Sequence, residues 1–170
     1  MGSEMCIRDR IIDLRRNGGG DEPTAMEIAG MFADREYVYA KQRIRNEGKW
    51  TEAQSRTLKP VGDKIYKSPT ICLTGPGAVS SAEAFALMFK SLKHGITVGL
   101  PTRGASGNPA PVTLPNGVEV WFSRWVAMDP DGAPIEDRGV TPDVTVKPDP
   151  KNRKDPTFQR AVRILKKKVG

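Results

Sequence analysis

Two short apolar runs limit what this chain can become. Residues 70–74, TICLT, and 96–100, ITVGL, each read as a strand buried on both faces. Between them lies GAVSSAEAFALMFKSLKHG, in which Phe85, Met88, Phe89 and Leu92 recur at spacings of three and four. That is the stripe of a helix packed on a core, with Gly95 closing it. Strand, crossover helix and strand of these lengths return the chain to one sheet in parallel, so the core is α/β. The same order appears upstream, where IIDL runs into RRNGGG and then EPTAMEIAGMFA, with Met26, Ala29 and Phe32 on one side.

The rest of the chain follows a different rhythm. REYVYAKQRIR reads as a strand that alternates poorly, and EGKWTEAQSRTLKPVGDKIYKSP as a polar, mostly irregular excursion. Asn116-Gly117 between APVTLP and VEVWFSRWVAM marks a hairpin, and DPDGAP a turn. PIEDRGVTPDVTV reads as loop and short strand. The chain closes on a helix for which Asp155 is the N-cap, Pro156 the first-turn residue, and Phe158, Val162 and Leu165 the apolar stripe.

With 170 residues, 38% of them hydrophobic, the chain suits one globular domain with a core of its own. No apolar run approaches a membrane span, so no membrane insertion is expected. The net charge of +7 raises nucleic-acid binding, but the clearest basic cluster, Lys166 to Lys168, falls on the last turn of a helix, where cations complement the dipole. Aromatic residues do not interleave with the basic ones, which argues against a nucleic-acid partner. Cys6 and Cys72 have no metal-ligand spacing, and Cys72 reads as a buried, reduced thiol. Neither a metal nor a cofactor is expected. The first ten residues, MGSEMCIRDR, resist any structural reading and are expected to be a non-native leader, a scar followed by adapter sequence read in frame. Residues 11–170 would then be a C-terminal piece of a longer chain.

Ser80 poses the functional question. With Glu83 three residues on, it fits a capping box, the serine oxygen taking an orphan amide and the glutamate reaching back. A serine at a helix N-terminus also lies beside free amides that can stabilise an oxyanion. The motif alone supports both readings. Asn17-Gly18-Gly19-Gly20 likewise reads either as a plain glycine-rich connection or as converging amides that hold an anion. It lacks the lysine and hydroxyl of a P-loop and does not follow the dinucleotide fingerprint. Two strand-to-helix turns at one edge of a parallel sheet would bring the triglycine to Ser80, the layout of an acyl-transfer site, with the Ser81 N–H as second donor. The layout lacks a base. His94, the only histidine, lies at the far end of the same helix, about 20 Å away at 1.5 Å per residue, and reads as solvent-facing or C-capping.

The order IIDLRRNGGG, GAVSSAEAFA, VGLPTRGASGNP, LPNGVEV, PIEDRGVTPDV resembles the catalytic core of the tail-specific, or C-terminal-processing, serine proteases, which include the tricorn core and retinoid-binding relatives. Each motif is weak alone, and five in the family's order are strong. The resemblance implies a crotonase/ClpP-like α/β core: a mostly parallel sheet flanked by helices, plus a C-terminal β-hairpin and helix. It implies Ser80 as nucleophile, with Ser81 N–H and a triglycine amide, that of Gly19, as oxyanion hole. The lysine-dependent branch carries its base in a GEPTFGKG-like loop. Here that loop is GLPTRGASGNP, with no lysine and with Leu100 where a glutamate is usual, so the Ser/Lys mechanism is not expected. The tricorn-like branch uses an upstream histidine and a late glutamate, which Glu136 matches. The local signal at Glu136 also fits a charged loop residue. The resemblance further implies a peptide or unfolded-protein substrate and a periplasmic or secreted location, and it leaves assembly into oligomers open. A non-catalytic binding module on the same fold, or an acyl-thioester binder, is the competing reading.

Overall fold

The computed structural model describes residues 10–149 and 154–169. Most of the expected leader therefore lies outside the described residues, but Arg10 already belongs to the first strand. That strand, β1 (Arg10–Asp13), pairs in parallel with β5 (Thr70–Thr74), which pairs with β6 (Gly95–Gly99), and β6 with β10 (Val144–Thr145). The four form one all-parallel sheet in the order β1-β5-β6-β10.

Strand alternation distributes the core. Ile71 and Leu73 of β5 and Val98 of β6 face α3 (Pro156–Val169) and pack on Ala161 and Leu165. Cys72 points to the other face, into the cluster built by α2 (Ser81–Ser91) and α1 (Glu22–Gly30). Phe85, Met88, Phe89 and Leu92 are all buried there, as their spacing requires. The helix stops at Ser91 with Leu92 as C-cap, so Gly95 opens β6 rather than closing the helix. Gly95 is needed because a Cβ there would run into the Phe89 carbonyl. Asp155 caps α3 as expected, taking the Phe158 N–H at 2.9 Å, and also pairs with Arg15 at 2.6 Å.

A second sheet covers α2 from outside. β2 (Tyr37–Asn46) pairs antiparallel with β3 (Lys49–Trp50), β4 (Gln54–Leu58) and β9 (Trp125–Met128). Strands β3 and β4 correct the sequence expectation of an irregular excursion. β4 reads polar because its inward-facing Arg56 is neutralised by Glu22 of α1 at 2.9 Å, while Leu58 is fully buried. The expected hairpin is present as β7 (Ala110–Thr113) and β8 (Glu119–Phe122), around the turn containing Asn116-Gly117. Among the described residues, no helix is long and apolar enough to cross a membrane.

Candidate active site

Because β1 and β5 are parallel neighbours, their C-terminal ends lie at one edge, and the turns that leave them touch. The Val79 N–H donates to the Asn17 carbonyl at 3.1 Å, and Gly77 lies so close to Arg15 that a Cβ would be 2.6 Å from its carbonyl oxygen. The triglycine is thereby pressed against the start of α2. A Cβ on Gly19 would stand 2.7 Å from the Val79 oxygen, 2.8 Å from Ser80 Cβ and 3.3 Å from the Ser81 nitrogen. Gly19 also has a φ of +95°, which glycine alone adopts freely.

Ser80 is not an ordinary N-cap. Its backbone is at φ 58°, ψ −124°, whereas an N-cap has extended geometry. A non-glycine residue held at positive φ stores strain of order 1–3 kcal/mol, and such positions concentrate at functional sites. Both halves of the box with Glu83 are in place: Glu83 Oε2 accepts the Ser80 N–H at 3.3 Å, and the Glu83 N–H faces the Ser80 side chain while its close bond, at 2.8 Å, goes to the Ser80 carbonyl. The Ser81 N–H, at the first position of α2, has no acceptor among the described residues. A hydroxyl on a strained turn and an unpaired amide beside it are thus side by side.

The structure brings Ser80, Ser81 and Gly19 together as the sequence suggested. One detail differs from the simplest expectation, because the Gly19 N–H already donates to Asn17 Oδ1 at 2.9 Å. Among the described residues, the amides of Gly18 and Gly20 carry no such bond. Glu136 is exposed, and its carboxylate has no partner among the described residues. Its backbone is nevertheless tied to the site. Asp137 N–H donates to the Gly104 carbonyl at 2.9 Å, and Val140 N–H to Thr102 Oγ1 at 2.7 Å. His94 is exposed in the turn after α2, at the end remote from Ser80.

Glu83 does more than the capping motif indicates. Fully buried and with no cation paired to it among the described residues, it accepts from Thr102 Oγ1 and Gly104 N–H, both at 2.6 Å, from Ala105 N–H and Ser106 Oγ, both at 2.8 Å, and from Ser80 N–H. Five donors compensate the desolvation of one carboxylate, and they lash the 102–106 loop to the strained serine. The available signal was the donor-rich run Thr102 to Ser106 in a glycine-containing loop. Ser106 was also missed, and its carbonyl accepts Trp125 Nε1–H at 2.5 Å.

A cleft runs from Ser80 and Ser81 between α2 and the inner face of the second sheet, where Ala84 and Leu87 oppose Ala127 and Ile135. Its floor is a compact ionic network. Glu22 accepts Tyr39 Oη–H at 2.7 Å and pairs with Arg56, whose guanidinium stacks over Tyr39 and Trp125. Burial and the adjacent Glu22 push the Tyr39 phenol well above its ordinary range, so it stays protonated. Lys41 also lines the cleft, at a β2 position paired with Met128 of β9. Among the described residues, no group of three or more His, Cys, Asp and Glu converges as a metal site would.

Comparison with known proteins gives a consistent picture. The sequence description of Peptidase family S41 matches residues 4–146. The chain is similar to the chloroplastic C-terminal processing peptidase of Tetradesmus obliquus, 29% identical over 153 residues, which cover 86% of this chain and 30% of that protein. Among solved structures it is similar to a Parabacteroides merdae protein with a provisional peptidase name (TM-score 0.85, 26% identity, 93% of this chain and 52% of that one). The photosystem II D1 C-terminal processing protease superposes with a TM-score of 0.63 at 26% identity, over 93% of this chain and 39% of that one. The chain thus spans about a third of the curated relative, and that relative's chloroplast label shows that location varies among such proteins.

Proposed function

The chain belongs to peptidase family S41, and from that premise we propose that it forms the nucleophile-bearing part of a serine endopeptidase, with Ser80 as the attacking residue. The observation that carries this reading is the Ser80 turn: a serine held at positive φ with an unpaired Ser81 N–H beside it. Ser80 Oγ attacks the carbonyl carbon of an extended peptide and passes its proton to a base. The oxyanion is held by Ser81 N–H and a triglycine amide: that of Gly19 once it leaves Asn17, or a neighbouring free one. The C–N bond breaks as the leaving amine takes the proton, and water then hydrolyses the acyl-serine to the free acid and serine. Glu136, on a loop stitched to the Gly104 segment, orients or polarises the site. Since His94 is remote, the base is assigned to a segment of the longer relatives that these residues do not span, so the chain alone is inactive or slow.

A binding module on the same fold is the second reading, favoured by one observation, the engagement of the Gly19 amide with Asn17. A fluorophosphonate probe separates the two when it is applied to a protein that includes the upstream segment to which the base is assigned. Labelling at Ser80, lost in Ser80→Ala with the unfolding midpoint unchanged, supports the peptidase. A folded protein that takes no label overturns it.

A further inference from the structure

The two oxygens of the Glu83 carboxylate serve different neighbours. Oε2 accepts on the nucleophile's side, from Ser80 N–H at 3.3 Å and from Ala105 N–H and Ser106 Oγ at 2.8 Å. Oε1 accepts Thr102 Oγ1–H and Gly104 N–H, both at 2.6 Å, and each of those residues is also bonded to the loop that carries Glu136. Val140 N–H donates to Thr102 Oγ1 at 2.7 Å, Thr102 N–H to the Val140 carbonyl at 3.3 Å, and Asp137 N–H to the Gly104 carbonyl at 2.9 Å. The two segments fit closely, since a Cβ on Gly139 would stand 2.1 Å from the Thr102 carbonyl oxygen and one on Gly104 2.7 Å from that of Ile135. The Thr102 hydroxyl, buried in this seam, is fixed in direction. It has one proton to give, and because Val140 N–H can only donate, that proton goes to Glu83.

We propose that Thr102 is a positioning residue of the peptidase site: through one hydroxyl it sets the Glu136 loop against the Ser80 turn. The proposal rests on Ser80 being the attacking residue. Val140 N–H, Thr102 Oγ1–H and Ser80 N–H lie on one line of hydrogen bonds that passes through the Glu83 carboxylate. Val140, Thr102 and Glu83 are all buried, and in such surroundings each bond polarises the next. Valine has the same branched shape as threonine, so packing alone does not require the oxygen. Without it, the Val140 N–H loses this acceptor and Glu83 loses a donor on the side that faces the loop. Serine and loop are then free to shift against one another, and a misplacement of about 1 Å can cost about 100-fold in rate. Thr102 does not line the cleft beside Ser80, so its effect falls on the reaction at the serine rather than on the binding of what enters.

The test is the rate of fluorophosphonate labelling at Ser80 over a range of probe concentrations. It uses a protein that includes the upstream segment to which the base is assigned, at a temperature well below each variant's unfolding midpoint. Thr102→Val is expected to lower the limiting rate about tenfold, while the probe concentration that gives half of that rate changes by less than about twofold. Thr102→Ser, which keeps the oxygen, should restore most of the rate even where it does not restore the midpoint. If the valine variant does not fold, Thr102→Ala set against Thr102→Ser asks the same question, because those two differ by one oxygen. In a Glu136→Gln background, Thr102→Val should cost less than it does alone, since it acts through the Glu136 loop. An unchanged limiting rate in Thr102→Val, an equal loss in Thr102→Ser, or losses that multiply with Glu136→Gln overturn the proposal. Failure of the peptidase reading shows separately, as a folded wild-type protein that takes no label, and it removes the site that Thr102 would position.

Discussion

Gly19 lies where a side chain has no room: a Cβ would meet the Val79 oxygen and Ser80 Cβ at under 3 Å, on a backbone at φ +95°. Gly19→Ala therefore has to displace the Ser80 turn itself. It should cost on the order of 1–3 kcal/mol in urea unfolding and reduce fluorophosphonate labelling of Ser80 by more than tenfold. Labelling at the wild-type rate would show that the triglycine does not shape the site. Glu83 offers the complementary case, since it acts through what it holds. In Glu83→Gln one oxygen becomes an NH₂ group facing amides and hydroxyls that also donate, so several of five buried donors lose their acceptor. A loss of about 2–4 kcal/mol is expected from denaturant unfolding, with the 102–106 amides exchanging faster with solvent. A change under about 0.5 kcal/mol would mean that the loop is held by other contacts. These two residues also mark what was legible at this scale. Gly19 and Ser81 could be placed beside Ser80 because strand-to-helix turns on parallel neighbours share an edge. The hub role of Glu83 could not be read, because its partners lie 19 to 23 positions away and no local pattern pairs a glutamate with a loop on the far side of the next strand.

Elements meet through a few such side chains, and Asp143 is the clearest. It takes Lys90 Nζ of α2 at 2.6 Å and both Thr97 N–H and Oγ1–H of β6 at 2.8 Å, so one carboxylate pins helix, strand and the approach to β10. Burial alone would push its pKa up, but the bonds from Lys90 and Thr97 outweigh it and the pKa falls below the ordinary carboxylate range. A folded pKa below the unfolded one means stability that is present above the unfolded value, near 4, and is lost as pH falls through the folded value. Asp143→Asn should thus destabilise by about 1 kcal/mol at pH 7, a figure held down by solvent screening of a side chain this exposed, with the difference shrinking as the pH falls below about 4. A difference independent of pH would remove the carboxylate charge from the account. Element-level legibility followed the same physics. The β5-α2-β6 unit showed in the sequence because its core contacts are local and periodic. β4 did not, because Arg56 counts as polar until Glu22 of α1, 34 positions earlier, is known to neutralise it. Alternation also failed in β2, where the register shifts between Val38 and Ala40 and puts Tyr39 fully inside.

At the scale of the whole molecule, these ties share a sign. Asp13, Asp129 and Asp155 resemble Asp143 in having lowered pKa values, Asp13 chiefly through the Arg15 side chain, Asp129 and Asp155 through bonds that overcome burial. Arg15 bridges Asp13 to Asp155, so the β1 turn that supports the triglycine and the N-cap of α3 respond together to acid. The chain carries 27 Lys and Arg against 20 Asp and Glu, and protonating the carboxylates leaves the positive charges unbalanced. Two effects then act in one direction below pH 4: native carboxylates lose their partners, and like charges repel within the compact state. The unfolding midpoint should stay nearly level from pH 7 to 5 and drop steeply between pH 4 and 2. The two effects separate with salt, because a Debye length of about 3 Å at 1 M screens long-range repulsion but leaves close hydrogen-bonded pairs much less affected. At pH 3, added NaCl should restore part of the lost midpoint and leave the remainder, which is the share held by the paired aspartates. Full recovery in salt would assign the acid sensitivity to net charge alone. A midpoint that does not fall between pH 4 and 2 would show that neither the aspartate pairs nor the charge excess governs how this fold holds its site.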